Sequence, residues 1–196
     1  MMHVTVPNET AWIRRVVAIV GEKPAPDSDA ALEALRDRLA PLAFGEGCPR
    51  ADAFSAGAGA ERLRRHPLVV GEDSACSALV MVWPPGYSTL PHDHAGLWGI
   101  ELVIDGALEV DEFVRVGDPA RPALARARSL YLGIGDAAVF SGDAYVHRCR
   151  NLSTTRPAVS LHVYGGVLDA YRSFLADAAG RYRLQSERAS NDVALN

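Results

Sequence analysis

His92-Asp93-His94, with His147-Arg148-Cys149-Arg150-Asn151 far downstream, holds the residue types in this chain best suited to metal chemistry. Two histidines at i and i+2 on a strand project from the same face, because strand side chains alternate with a period of two. Both imidazoles can then reach one metal while Asp93 points the other way. A third histidine from a distant strand, His147, would close a facial set of three nitrogen donors and leave the other coordination positions open. Neutral imidazole suits Fe, Zn, Cu and Ni alike, so donor type alone does not select the metal. The chain has six histidines, and a bare His-x-His pair is equally compatible with two exposed or two core histidines. The surrounding residues separate these readings.

Ser160-Leu161-His162-Val163-Tyr164 is the second group with chemical content. On a strand, Ser160, His162 and Tyr164 share one face and Leu161 and Val163 the other. Three inward polar side chains need partners, and they can supply them to each other as a hydrogen-bonded chain.

Spacing ties these groups together. Gly86 is followed by five residues and His92-Asp93-His94, then four residues and Gly99, then six and Gly106; His147 and Asn151 give His-x-x-x-Asn. The pair resembles the two signature motifs of the cupin family, small β-barrels that hold a metal between two antiparallel sheets. Where that family usually carries a glutamate ligand this chain has Gly99, which implies a bare three-histidine site. With Trp83-Pro84-Pro85-Gly86 and the Ser-His-Tyr strand added, residues 62 to 172 resemble a thiol dioxygenase of the cysteine dioxygenase family.

That resemblance implies an all-β cupin core, a double-stranded β-helix or jelly-roll barrel. It implies one Fe(II) per chain on His92, His94 and His147, with O₂ as co-substrate. A small thiol would take both oxygen atoms and become a sulfinic acid, the second step of thiol oxidation. Tyr164 would face the open side, oriented by His162 and Ser160. Cysteine is the favoured thiol, and 3-mercaptopropionate or another small thiol the alternative. Readings of a different class are another metal cupin enzyme, or a non-catalytic cupin that binds a small molecule.

Substrate anchoring rests on Arg65, Arg172 and Glu101. Members of the family place an Arg or Gln shortly before the first barrel strand, and counting back from Trp83 reaches Arg65, with Arg64 adjacent. A planar guanidinium binds both oxygens of a carboxylate. A solvated helix face made of Arg62, Arg64 and Arg65 is the competing expectation. Arg172, in a helix expected after Tyr164, is the second candidate. Glu101 shares the inward face with Gly99, and a buried carboxylate is costly unless paired. A salt bridge to Arg128 or Arg65 is expected, with a role toward a substrate ammonium as the alternative. Cys149 reads as a small buried hydrophobe, and His66 as structural. Two departures stand out: animal members carry at the Gly99 position a Cys joined to the tyrosine, so no thioether is expected here. Gly165-Gly166 also stands where many cysteine-selective members have Ser-Pro.

The elements that must position these residues change character near residue 66. Asn8 or Thr10 can cap a helix carrying Trp12, Ile13, Val16, Val17 and Val20, which ends at Gly21. Ser28 caps a second helix with Leu32, Leu35 and Leu39, ending before Pro41. A third is expected around 51–65. From Pro67, short β-rich runs separated by Gly, Pro and Asp turns read as a barrel or sandwich: 78–83, 98–104, 108–116, 129–132, 137–140 and 158–164. A closing helix is expected over 167–179, then a polar, mobile tail from Ser186. One domain results: a helical part (1–66), a barrel (67–166), and a C-terminal helix and tail (167–196).

At 196 residues, 48% hydrophobic and 22% charged, the chain has enough apolar material for a core without staples. Net charge −4 gives no reason to expect nucleic acid or an anionic membrane as partner. No apolar run approaches the ~20 residues that span a bilayer. Three widely spaced cysteines and no visible export signal fit the cytoplasm. A monomer or small homo-oligomer acting on a small thiol is expected.

Overall fold

The computed structural model describes residues 10–22, 26–54, 61–68, 75–192 and 195. Helix α1 (Ala11–Val20) begins at Thr10, whose side chain accepts from the Ile13 N–H, and α2 (Asp29–Leu39) begins at Ser28, which accepts from Ala31. Both caps are those expected from sequence; Asn8 lies outside the described residues. Pro41 does not stop the chain turning: α2 runs on into a 3-10 segment, Ala40–Phe44, which tolerates a proline in its first turn.

Ten strands follow among the described residues: β1 (Arg64–Leu68), β2 (Ser77–Trp83), β3 (Gly99–Asp105), β4 (Leu108–Val116), β5 (Ala123–Leu132), β6 (Ala137–Phe140), β7 (Val146–Asn151), β8 (Ala158–Tyr164), β9 (Ala170–Ala176) and β10 (Tyr182–Arg188). They form a five-stranded sheet in the order β1-β2-β8-β3-β6, a three-stranded sheet β5-β4-β7, and a β9–β10 hairpin. Alternation assigns the two faces of the large sheet. Val80 and Val82, Ile100 and Leu102, and Leu161 and Val163 pack outward against Trp12, Val16 and Leu39 of the helices. Met81, Trp83, Val103 and Tyr164 face inward and share a second core with Leu108, Val110 and Cys149 of the smaller sheet. The helices therefore cover one face of the barrel wall, and the interior is shared between this second core and the buried polar residues.

Three expectations are corrected. Residues 51–54 form only a short 3-10 turn, and 64–68 are a strand, so no helix spans 51–65; Arg65 pairs with Met81 in register instead. The C-terminal segment is not a helix. Ala170–Ala176 and Tyr182–Arg188 pair antiparallel, joined where Asp177 Oδ1 accepts from the N–H groups of Ala179 and Arg181. An Asp at a turn start offers this local bond in place of helix. The polar tail is ordered as strand through Arg188.

Candidate metal centre and its cavity

His92-Asp93-His94 lies outside the regular strands, yet the alternation read from sequence holds. His92 bridges to both His147 and Ser173, with its N–H donating to the His147 carbonyl at 2.8 Å and its carbonyl accepting from His147 at 3.0 Å. Asp93 donates through its N–H to the Arg172 carbonyl. The segment is thus a short ribbon clamped between β7 and β9. His92 and His94 project to one side and meet His147 of β7; one ligand atom from each lies within 4.8 Å of the others. Asp93 projects to the other side, where its Oδ2 accepts from Arg172 Nε at 2.6 Å.

The donor set fits a divalent metal. His92 Nδ1 is 2.9 Å from the Leu90 carbonyl, which can only accept, so the proton sits on Nδ1 and Nε2 keeps its lone pair. His147 Nδ1 is 3.2 Å from Glu101 Oε2 and 3.3 Å from Tyr145 Oη, which frees its Nε2 in the same way. The two Nε2 atoms stand 3.2 Å apart. Two facing lone pairs repel, whereas an ion with bonds of about 2.0–2.1 Å at near-right angles separates its donors by about 3 Å. His94 adds a buried Nδ1 with no hydrogen-bond partner among the described residues. Burial, then the neighbouring His147, lowers the His92 pKa to about 3, and burial followed by His147 and His92 lowers that of His94. At neutral pH both are uncharged donors.

The Ser-His-Tyr residues form the expected chain, and its direction can be read. Trp83 Nε1 can only donate, and does so to Ser160 Oγ at 2.7 Å. Ser160 is fully buried, and the acceptor the structure offers its hydrogen is His162 Nε2 at 2.8 Å. His162 then carries its proton on Nδ1, 3.0 Å from Tyr164 Oη. Tyr164 accepts there and keeps its own O–H for the cavity. Burial, then the Glu101 charge, pushes the Tyr164 pKa well above that of a free phenol, so the hydroxyl stays protonated. Register explains the placement: Tyr164 and His162 of β8 sit directly beside Gly99 and Glu101 of β3.

A cavity of about 410 Å³ opens over this cluster, bordered by His92, Trp83, Tyr164, Arg65, Tyr171 and Glu187. Arg65 reaches it from β1, with Nη2 donating to the Leu168 carbonyl at 3.3 Å. Arg64 and His66 point the other way, to Phe54. Arg172 is not at the cavity. On a strand, its neighbours Tyr171 and Ser173 take that face and Arg172 turns to Asp93, which corrects its candidacy as a substrate residue. Glu101 does border the cavity, but it is not paired with Arg128 or Arg65. Arg128 holds Glu112 instead. The Glu101 oxygens face His147 Nδ1 at 3.2 Å, His162 Nδ1 at 3.3 Å and Cys149 Sγ at 3.5 Å. Cys149 is buried as expected, yet its thiol serves as a weak donor to a carboxylate and is not purely apolar filling.

Tyr171, Ser173 and Glu187 were not singled out from sequence. For Tyr171 and Ser173 the period-two spacing was the available signal, and the expected helix concealed it; Glu187 fell in the expected polar tail. Tyr145 was also missed: its ring stacks on Phe140 at 4.6 Å, and Phe140 stacks on His94 at 4.3 Å. This stack accounts for Gly99, where an added Cβ would lie 2.3 Å from the Phe140 ring. Phe140 fills the space that a larger residue would need. Gly165 is constrained alike, by the Trp98 indole 2.3 Å from a would-be Cβ. Gly99→Ala should therefore cost about 1–3 kcal/mol through overpacking, or ~2–4 °C of melting temperature per kcal/mol at this chain length. Thermal denaturation reads this directly, and an unchanged melting point would mean that Phe140 yields freely.

Two antiparallel sheets around three convergent imidazoles make a β-sandwich with a candidate metal site. The chain belongs to the cysteine dioxygenase type I family, whose family model matches residues 58–176. Similar solved structures include the TT1209 protein from Thermus thermophilus, 23% identical over 57% of this chain and 90% of that one, with TM-score 0.41. The Schizosaccharomyces pombe Cnp3 cupin domain is 12% identical over 54% of this chain and 61% of its own, TM-score 0.41. An oxalate oxidase in complex with the substrate analogue glycolate is 18% identical over 54% of this chain and 50% of its own, TM-score 0.41. No helix among the described residues is long and apolar enough to cross a membrane.

Proposed function

We propose that this protein is a mononuclear iron thiol dioxygenase that converts a small thiol, RSH, and O₂ into the sulfinic acid RSO₂H. The reaction conserves all atoms and needs no external reductant. The observation that carries the reading is the hydrogen-bonded Trp83-Ser160-His162-Tyr164 chain ending beside the three imidazoles. Iron on His92, His94 and His147 would supply a redox-active cation with open positions for sulfur and O₂. Three neutral donors leave the ion its full charge, which favours the thiolate form of the substrate. Tyr164 presents its O–H to the bound groups, and His162 and Ser160 hold that orientation. The apolar faces of Met81, Trp83 and Leu168 limit water around the sulfur. Gly99 offers no sulfur for a thioether to Tyr164, so the tyrosine acts unmodified.

Cysteine is favoured as the thiol. Arg65 and Glu187 both border the cavity and offer partners for a carboxylate and an ammonium group, respectively. Glu101 is less suited to the ammonium, because its oxygens already face two imidazoles and a thiol. 3-Mercaptopropionate lacks the ammonium and would leave Glu187 unanswered.

Oxygen uptake and sulfinate formation by the iron-loaded protein, compared for cysteine, cysteamine, 3-mercaptopropionate and mercaptosuccinate, test the reading. Absence of uptake with every thiol would overturn it. Arg65→Ala should raise KM for a carboxylated thiol by roughly 10- to 150-fold, the equivalent of the ~1.5–3 kcal/mol of one hydrogen bond to a charged group. Cysteamine, which has no carboxylate, should respond little. An equal effect on cysteamine would remove Arg65 from substrate binding.

A further inference from the structure

We propose that Glu101 is a positioning residue that sets the proton location on two imidazoles at once, one on the metal side and one in the tyrosine chain. The inference rests on the three-histidine metal reading above, but not on which thiol is oxidised. Glu101 is 2% exposed and sits on β3 directly beside His162 in register. Its Oε2 lies 3.2 Å from His147 Nδ1 and its Oε1 lies 3.3 Å from His162 Nδ1. A carboxylate can only accept and repels a lone pair held this close, so on each ring Nδ1 is the nitrogen that carries the proton, which also lies within reach of Tyr145 Oη on His147 and of Tyr164 Oη on His162.

Each proton has a consequence at the opposite end of its ring. With Nδ1 protonated, His147 turns a lone pair on Nε2 toward His92 and His94. With Nδ1 protonated, His162 accepts from Ser160 on Nε2 and donates to Tyr164, so the phenol hydrogen is free for the cavity. The direction deduced from Trp83 at one end of the chain is thus the direction Glu101 imposes from the other. Burial of the anion is offset by the Cys149 thiol, which donates to it, and by the two imidazole N–H dipoles beside it. Partners of this kind on metal-bound histidines fix ring orientation and raise ligand basicity.

Glutamine at this position breaks the arrangement without changing its shape. Its oxygen can accept from one imidazole, but its NH₂ must donate to the other. That forces one ring into the opposite tautomer, whichever way the amide is turned.

The test uses the full-length protein and two independent readouts. Competition with a chelator gives the Fe(II) affinity of wild type, Glu101→Gln and Tyr145→Phe. A loss of about 10–100-fold is expected for Glu101→Gln, with a smaller loss for Tyr145→Phe, whose hydroxyl is shared between His147 Nδ1 and Glu112. The ring nitrogens of His147 and His162 are observed by ¹⁵N NMR in ¹⁵N-histidine wild-type protein loaded with diamagnetic zinc. Both should carry their proton on Nδ1. This second readout does not depend on whether the variant folds. A folded Glu101→Gln protein with unchanged iron affinity, a larger loss with Tyr145→Phe than with Glu101→Gln, or His162 protonated on Nε2 would each overturn the proposal. Wild-type protein that binds no iron would sink the dioxygenase reading, while the His162 tautomer would still decide this one.

Discussion

His147→Ala is expected to purify without stoichiometric metal and to show no thiol-dependent oxygen uptake above background. Four-ligand protein sites bind divalent metal with roughly 10–16 kcal/mol, so one donor accounts for about 2.5–4 kcal/mol, or ~10²–10³-fold in affinity. His147 has the largest expected effect of the three histidines because it links the most partners. Its Nε2 is 3.2 Å from that of His92, and its Nδ1 faces Glu101 and Tyr145. Removing it also leaves the buried Glu101 carboxylate with one imidazole fewer to offset its charge. The backbone pairing between His92 and His147 uses only main-chain atoms and should survive. Elemental analysis of the folded fraction and a thermal melt separate metal loss from unfolding. A variant that keeps one tightly bound metal per chain would show that His147 is not a ligand.

Tyr164→Phe should behave in the opposite way, with metal content kept and turnover reduced ~10²–10⁴-fold, the range of a positioned proton donor. The substitution removes one hydroxyl from a residue that is 3% exposed. His162 Nδ1 would still have Glu101 at 3.3 Å, so no buried donor is stranded and the fold should hold. Single-turnover oxygen uptake with the best thiol, alongside iron content, measures both quantities. Full activity in the Phe variant would remove Tyr164 from the chemistry, and loss of iron would make it structural.

The residues that could be read from sequence are those whose geometry is local. Thr10 and Ser28 announced their helices because a cap is settled within three residues. Ser160, His162 and Tyr164 could be placed on one face because the strand period is fixed by backbone geometry, whatever lies beyond. At the C-terminus helical propensity misled instead. Tyr171, Ser173 and Phe174 lie on a strand, but Val167 to Ala179 is rich in residues that also suit a helix. Pairing with β10 outweighed propensity. Arg172 then faced Asp93 rather than the cavity, since one change of element type re-aims every side chain on it.

The sequence by itself therefore determined the inventory: two histidines on one side of a ribbon, a third after a long interval, and a Ser-His-Tyr face. It also determined that no glutamate stands at position 99. Only the tertiary structure decided the partners. It placed Phe140 in the space above Gly99, turned Arg65 into the cavity and Arg172 out of it, and set Glu101 between His147 and His162 rather than against an arginine. The division has a physical cause. Which face a side chain takes follows from φ and ψ of its own strand, whereas what it meets depends on strand order and register between segments far apart in the chain. Glu101 meets His162 only because β3 pairs with β8, and His147 only because the second sheet closes over the first.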